Sequence, residues 1–438
     1  MSKIIFAQAT ALGTSAISII RVSGEGSKEV LKELIKGGVP KKKVLSLRTL
    51  YFPKKNYIID KCLVCWMPES SSYTGEDSFE IQCHGGNAII TSFYDALSSI
   101  KNVRIAEQGE FTKRAIINGK MNLIDAEALN DLIHAEAEQQ RILAMKQLDN
   151  SLSVPIQKWR KLLLISMSNI EARIDFSDEE DIPGDQFSKK HLLKLKKEID
   201  KTLKNGQQHD LIKEGLKIVL TGKPNAGKSS LFNYIVKGER SIVTDMPGTT
   251  RDTIEVKVNI GGYIVTFVDT AGINKTSDII EQEGIKRAKH KVNNADLVLN
   301  IIDAPKFNQA DINPKYWNVL NKIDKSPIED IKVTNSLNFY KVSAKSGEGV
   351  NFLLQEILSF VIDNTKKIRN TNNFYSSNRQ KKELEAIKVL LDLALKEDQE
   401  EILAEFIREI NKGFGRILGH VDIEEVLGEI FSNFCIGK

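Results

Sequence analysis

The chain has 438 residues, too many for one ordinary domain and enough for two to four. Hydrophobic residues make up 41% and charged residues 27%, a balance that argues against a disordered or fibrous chain. The net charge of +4 is small for this length, so overall charge does not by itself mark a nucleic-acid binder.

The opening stretch MSKIIFAQATALGTSAISIIRVSG is interrupted by Gln8, Thr10 and Thr14, which makes a poor signal-peptide core. It reads as two strands joined by a turn at Gly13. No apolar run approaches the ~18 residues that span a bilayer, so the expectation is a cytoplasmic protein with no membrane partner. Residues 1–118 mix short apolar runs with turn signals, among them Gly24, Gly37-Gly38, Pro53, Pro68, Gly75, Gly85-Gly86 and Gly109, as in a compact mixed α/β domain. Four cysteines are too few for a disulfide framework. Cys62 and Cys65, with Cys83-His84 nearby, have metal-site spacing, but KCLVCWM has strand character and positions i and i+3 of a strand face opposite ways. Lys41-Lys42-Lys43 is a local basic cluster.

From about Leu123 the pattern changes to helical periodicity, through EALNDLIHAEAEQQRILAMKQL and PIQKWRKLLLISMSNIEARIDF. A charged break, SDEEDIPGD, precedes a helix at 189–204, where Lys189, Lys190, Lys194, Lys196 and Lys197 alternate with leucines at helical spacing; like Lys41-Lys42-Lys43 they are candidate nucleic-acid contacts, with a solvated helix face the preferred reading. At Leu216 the texture becomes strands alternating with helices: KIVLTG, a hairpin TIEVKVNIGGYIVTFVD turning at Gly261-Gly262, then DLVLNIID, NVLNKID and YKVSA. That alternation means a mostly parallel sheet. After about residue 365 the chain is helical again. The expected architecture is therefore an α/β and all-α multidomain chain. It has an α/β domain at 1–118, a helical domain split between 119–215 and 365–438, and an α/β unit inserted at 216–364.

Gly222-Lys-Pro-Asn-Ala-Gly-Lys228-Ser229 fits G-x-x-x-x-G-K-[ST], directly after a strand and before the apolar helix start SLFNYIV. Its glycines let backbone N–H groups wrap phosphates, Lys228 reaches the β- and γ-phosphates, and the Ser229 hydroxyl suits Mg²⁺. The nucleotide positions in this loop are Asn225, Ala226, Gly227, Lys228, Ser229 and Ser230. Asp269-Thr270-Ala271-Gly272 ends a strand and brings a carboxylate and a backbone N–H to the metal and γ-phosphate. At the end of another strand, Asn321-Lys322-Ile-Asp324 supplies a carboxylate that accepts from the ring N–H and amine of guanine, a pairing adenine lacks. Asn321 and Lys322 are expected to brace the loop, and Ser343-Ala344-Lys345 to offer an N–H to the guanine oxygen. Thr244 and the run Thr249-Thr250 lie between the first two motifs, and Thr250 is the natural switch threonine completing the Mg²⁺ shell. The order and context of these motifs define an inserted P-loop (Ras-like) GTPase.

Ile273 follows Asp-Thr-Ala-Gly, where many GTPases carry a glutamine that orients the attacking water. The residues leave two questions open: Arg251 or a bound metal ion for the cation, and Glu281 or Glu283 for the group that holds the water.

RVSG at 21–24, YTGEDSFEIQCHGG at 73–86, GEFTKRAIINGKMNLIDAEALNDLI at 109–133, the loop and switch sequences GKPNAGKSSLFN, IVTDMPGTTRDT and DTAGIN, and the terminal FCIGK together resemble the tRNA-modification GTPase family MnmE, also called TrmE. The resemblance covers nearly the whole chain. It implies a potassium-dependent GTPase that works through dimerisation of its G domains. K⁺ would be held by Asn225, Thr244, Met246 and Thr249 in the place of an arginine finger, and Glu281 would position the water. It further implies an N-terminal domain that forms a homodimer and binds a 5-formyltetrahydrofolate-type reduced folate, at positions matching Arg21, Glu80, Lys120 and Lys438. Cys435 would be either a reactive thiol or a packing residue. The implied partners are an FAD-dependent subunit, MnmG or GidA, and tRNA, whose wobble uridine receives an aminomethyl-type group at carbon five. ALGTSA at 11–16 stands where the family usually reads P-x-G-R-G-A, and AEQGEF lacks the usual proline before Gly109. A regulatory GTPase in ribosome assembly or stress signalling would share the GTP motifs without needing YTGED, GEFTKRA or FCIGK. A folate-dependent one-carbon transferase would leave the GTPase without a purpose.

Overall fold

The computed structural model describes residues 4–55, 57–149, 152–175, 185–238, 241–242, 254–269, 291–325, 338–365, 374–420 and 437. The chain divides into two compact units. The first comprises Met1–Asn130, Ile156–Leu192 and Val389–Lys438, and the second Asp131–Pro155 and Leu193–Lys388.

The first unit holds a six-stranded sheet of β1 (Ile4–Gln8), β2 (Ser15–Ser23), β3 (Ser46–Tyr51), β4 (Ile58–Met67), β5 (Ser78–Gly85) and β6 (Val103–Ile105), in the order β3-β4-β5-β2-β1-β6. The β1–β2 pair with Gly13 between its strands matches the expectation from the opening residues, and the β1–β6 pair is parallel. Alternation sets the faces: Cys62, Val64 and Trp66 of β4 point into the core while Lys61 and Leu63 face out. That core is closed by Val30, Leu31 and Leu34 of α1 (Ser27–Leu34) and Phe93, Ala96 and Leu97 of α2 (Asn87–Ser98). Burial drives the Cys62 thiol far above its usual range, and no His/Cys/Asp/Glu metal cluster occurs among the described residues. Helix α3 (Glu110–Ile117) follows β6 and carries most of the GEFTKRA sequence. In the helical part of this unit Trp159 packs on Phe414 with ring centroids 5.6 Å apart, and Arg173 pairs with Glu400 at 2.8 Å. The helix Glu400–Leu418 stops at Gly419, which takes the left-handed conformation of a helix C-cap.

The second unit is built on a seven-stranded sheet: β7 (Leu216–Thr221), β8 (Ser241–Ile242), β9 (Ile254–Ile260), β10 (Tyr263–Asp269), β11 (Leu297–Asp303), β12 (Trp317–Asn321) and β13 (Phe339–Val342), in the order β13-β12-β11-β7-β10-β9-β8. The β9–β10 hairpin is antiparallel, whereas β7, β10, β11, β12 and β13 run parallel. Every residue of β10 is buried, as expected of a parallel strand covered on both faces. Chain order reverses at β7, which lies between β10 and β11, so the carboxyl end of β7 is the switch point where open α/β sheets bind ligands. No described helix is long and apolar enough to cross a membrane.

Candidate functional site

β7 runs into the loop 222–227 and then a helix, Lys228–Gly238, held to the sheet by Leu231, Phe232 and Ile235. A helix N-terminus at a strand's carboxyl end offers unpaired N–H groups to an anion. Asn225 adopts a left-handed backbone, φ 64°, and Gly227 reaches φ 93°. The Lys228 ammonium folds back on the loop, donating to the carbonyls of Gly222 at 2.9 Å and Lys223 at 3.0 Å. Burial pushes this ammonium below its usual pKa range, and the Asp269 carboxylate opposes that shift. The Ser229 hydroxyl donates to Asp269 Oδ2 at 2.8 Å, so the loop and the end of β10 meet at one point.

Asn321, at the end of β12, is buried and braces the loop. Its Nδ2 donates to the Ala226 carbonyl at 3.0 Å, and its Oδ1 accepts from the N–H groups of Lys322 at 2.8 Å and Ala344 at 3.0 Å. Lys322 Nζ donates to the Asn225 carbonyl and pairs with Asp303 at 3.0 Å. Both side chains thus tie the end of β12 to the phosphate loop. Asp324 accepts from Ser343 Oγ at 2.6 Å, and this bond is the main cause holding its carboxyl below the usual range. Of the three N–H groups in Ser343-Ala344-Lys345, that of Ser343 goes to the Glu348 carbonyl and that of Ala344 to Asn321. Of the three, only the Lys345 N–H has no hydrogen-bond acceptor among the described residues. Asp303 joins the site through its pair with Lys322, although a carboxylate ending a buried strand reads in the sequence as a simple strand terminus.

In the N-terminal sheet Arg21 of β2 lies directly opposite Glu80 of β5. The guanidinium donates to Glu80 Oε1 at 2.9 and 2.8 Å, lies 5.5 Å above the Tyr73 ring, and reaches the Gly437 carbonyl at 3.5 Å. Gly437 packs so closely on Gln8 and Ala9 that an added Cβ would meet the Gln8 carbonyl oxygen at 2.2 Å. Lys120 donates to the Ser70 carbonyl at 3.5 Å, beside Gly75 of the YTGED turn. The structure thus brings Arg21, Glu80 and Gly437 together. Charged residues of YTGED and GEFTKRA form a scaffold beside it. Glu110 accepts from Arg104 at 2.6 Å and Arg114 at 2.9 Å, Arg114 pairs with Glu76 at 3.0 Å, and Glu76 accepts from Ser23 at 3.0 Å. Burial alone would raise the Glu110 carboxyl, but the bonds from Arg104, the Glu107 N–H and Arg114 hold it below its usual range. Thr244, Met246, Thr249, Thr250, Thr270, Ala271, Gly272, Glu281, Cys435 and Lys438 lie outside the described residues.

A phosphate loop at the switch point of a parallel sheet, braced by Asn321 and flanked by a carboxylate suited to guanine, defines a P-loop GTPase. The family model described as MnmE helical domain matches residues 123–435, and the one described as GTP-binding protein TrmE N-terminus matches residues 4–120. The chain is 37% identical over 438 residues to "tRNA modification GTPase MnmE" of Rhodopseudomonas palustris, covering 99% of this chain and 98% of that protein. It is 38% identical over 456 residues to the protein of the same name from Caulobacter vibrioides, covering all of both chains. A crystal structure of an Aquifex aeolicus Era variant bound to GDP.AlF4- is 28% identical over 33% of this chain and 56% of that one, with a TM-score of 0.27. The chain belongs to the MnmE family of tRNA modification GTPases, and is a GTP hydrolase with a role in tRNA modification.

Proposed function

We propose that this cytoplasmic GTPase is activated by K⁺ through dimerisation of its G domains. Together with an FAD-binding partner subunit, it adds an aminomethyl-type group to carbon five of the wobble uridine of certain tRNAs. Supporting this reading above all is the similarity along the whole chain, which takes in the nucleotide loop, the YTGED and GEFTKRA blocks and the chain end at once.

The donor chemistry fits the implied ions. Ser229 Oγ and the Asp269 carboxylate, 2.8 Å apart, are hard oxygen donors of the kind Mg²⁺ takes, with Thr250 as a further ligand. Asn225, held in its left-handed conformation on the loop, offers its side-chain oxygen to K⁺, with Thr244, Met246 and Thr249 as the other ligands. These cations would supply positive charge to the phosphates. Lys228 holds the β- and γ-phosphates, Asp324 with the Lys345 N–H selects guanine, and Glu281 orients the attacking water.

The N-terminal residues fit a reduced folate, and this domain forms the constitutive homodimer. Both bonds from Arg21 to Glu80 use Oε1, which leaves Oε2 to accept from a pterin N–H. Arg21, Lys120 and Lys438 suit the anionic tail. The domain organisation proposed is a folate domain at 1–118, an inserted G domain at 216–364 and helical parts on either side of it.

The deciding experiment is nucleoside mass spectrometry of tRNA from cells with and without the chain. Wobble uridines should lose their carbon-five aminomethyl-type groups in its absence and regain them with the intact protein but not with Lys228→Ala. Unchanged wobble uridines would overturn the reading and favour a regulatory GTPase.

A further inference from the structure

The helix Asp185–Glu214 buries one face and leaves the opposite one to solvent. Leu195, Ile199 and Thr202 are buried, whereas Lys194, Lys197, Lys201 and Lys204 are all exposed. At about 3.6 residues per turn these four lysines, spaced 3, 4 and 3 apart, fall within an arc of about 80°, roughly opposite the buried face. They form one straight row about 15 Å long. The two acidic side chains of this segment, Glu198 and Asp200, stand outside the arc on either side, and Asp200 is engaged by Lys388 at 2.6 Å.

Charge pairing sets this row apart. Lys213 is matched by Asp131, Lys257 by Glu136 and Lys291 by Glu255. Lys194, Lys197, Lys201 and Lys204 have no ion-pair partner among the described residues. Four like charges at single-turn spacing repel one another and destabilise an isolated helix. A solvated face needs no such row: alternating signs would dissolve it as well and stabilise the helix.

We propose that this row is a docking surface for the phosphate backbone of RNA, and that the RNA is the tRNA substrate. The inference rests on the family's role in tRNA modification and supplies a contact surface for it. Charge complementarity decides the occupant. A strand of nucleic acid presents regularly spaced anions along a line, the pattern that a row of extended ammonium groups matches. The row has no interleaved aromatic side chain on which bases could stack, and its lysines are point charges. It therefore grips backbone without reading sequence, positioning the RNA while other groups choose the nucleotide.

The test is a titration of the full-length protein with an unmodified tRNA transcript at several salt concentrations, followed by fluorescence anisotropy. The variant replaces Lys194, Lys197, Lys201 and Lys204 with glutamine, which keeps helix propensity. Its melting temperature and RNA-free GTP hydrolysis should match wild type. Its affinity for tRNA should fall at least tenfold, and the slope of log affinity against log salt should shrink by about three, near one ion for each lost phosphate contact. A control with Lys41→Gln and Lys42→Gln should bind within about twofold of wild type, showing that position and not total charge matters. Wild type that fails to bind tRNA would overturn the tRNA reading and this surface with it. Wild-type binding with an unchanged quadruple variant would overturn the surface alone. A quadruple variant that keeps its tRNA affinity but loses the flavoprotein subunit would make the row a protein-docking face instead.

Discussion

A methyl group at position 227 would fall 2.2 Å from Nδ2 of Asn321, the atom that donates to the neighbouring Ala226 carbonyl at 3.0 Å. The phosphate loop and the end of β12 are therefore a single fitted part, and neither can change alone. Asn321→Ala removes one donor and one acceptor and strands the Ala226 carbonyl and the Ala344 N–H, a loss of about 1–3 kcal/mol for buried polar groups. Titration with a fluorescent GTP analogue should show affinity reduced by roughly ten- to a hundredfold. Gly227→Ala should do the same by displacing Asn321, and Asn321→Ala in the Gly227→Ala background should add little further loss. Additive losses in the double variant would show that the two positions act separately.

Guanine selection should reside in Asp324. Its carboxylate is steered by the 2.6 Å bond from Ser343, and as an acceptor it suits the ring N–H and amine of guanine. Asp324→Asn exchanges half of that acceptor for a donor, which suits xanthine, where an oxygen replaces the amine. The expected outcome is hydrolysis of GTP with KM raised by more than a hundredfold and recovery of activity with xanthosine triphosphate. Loss of activity with both nucleotides would place the carboxylate in folding of the loop instead.

With Ile273 where a water-orienting glutamine often stands, hydrolysis is expected to depend on the monovalent ion. Rates in KCl should exceed those in NaCl at equal ionic strength by at least tenfold, and Asn225→Ala should abolish the difference. Equal rates in the two salts would return the role of the cation to Arg251.

The two sites were legible in the sequence to different degrees for a physical reason. G-x-x-x-x-G-K-S, N-K-x-D and S-A-K are local devices: a few adjacent residues shape a turn at a strand end, and the strand and helix around them show in the hydrophobic pattern. Pairings that join distant segments left no such trace. Arg21 meets Glu80 only because β2 and β5 adopt one register, and Arg114 of α3 reaches Glu76 only once the YTGED turn is folded against that helix. Each of those charges taken alone reads as surface. The exposure of Lys194, Lys197, Lys201 and Lys204 follows from the helical alternation of leucine and lysine, but their lack of an ion-pair partner among the described residues is a three-dimensional fact.

His209 should make the second unit sensitive to acid. It is 1% exposed, stacks on Phe374 with ring centroids 3.6 Å apart, and neither ring nitrogen has a hydrogen-bond partner among the described residues. Burial, helped by the charge of Lys146, pushes its pKa down to about 3. In the unfolded chain the imidazole titrates near 6.5. Between those values the unfolded state binds the extra proton, so stability falls as pH drops below 6.5 and the loss is complete once pH passes below 3. Urea unfolding of wild type at pH 7 and pH 5 should differ by about 2 kcal/mol from this group alone. His209→Leu cannot take up the proton and should lose about that much less over the same interval. Identical pH dependence in the two proteins would mean that the imidazole opens to water before the unit unfolds.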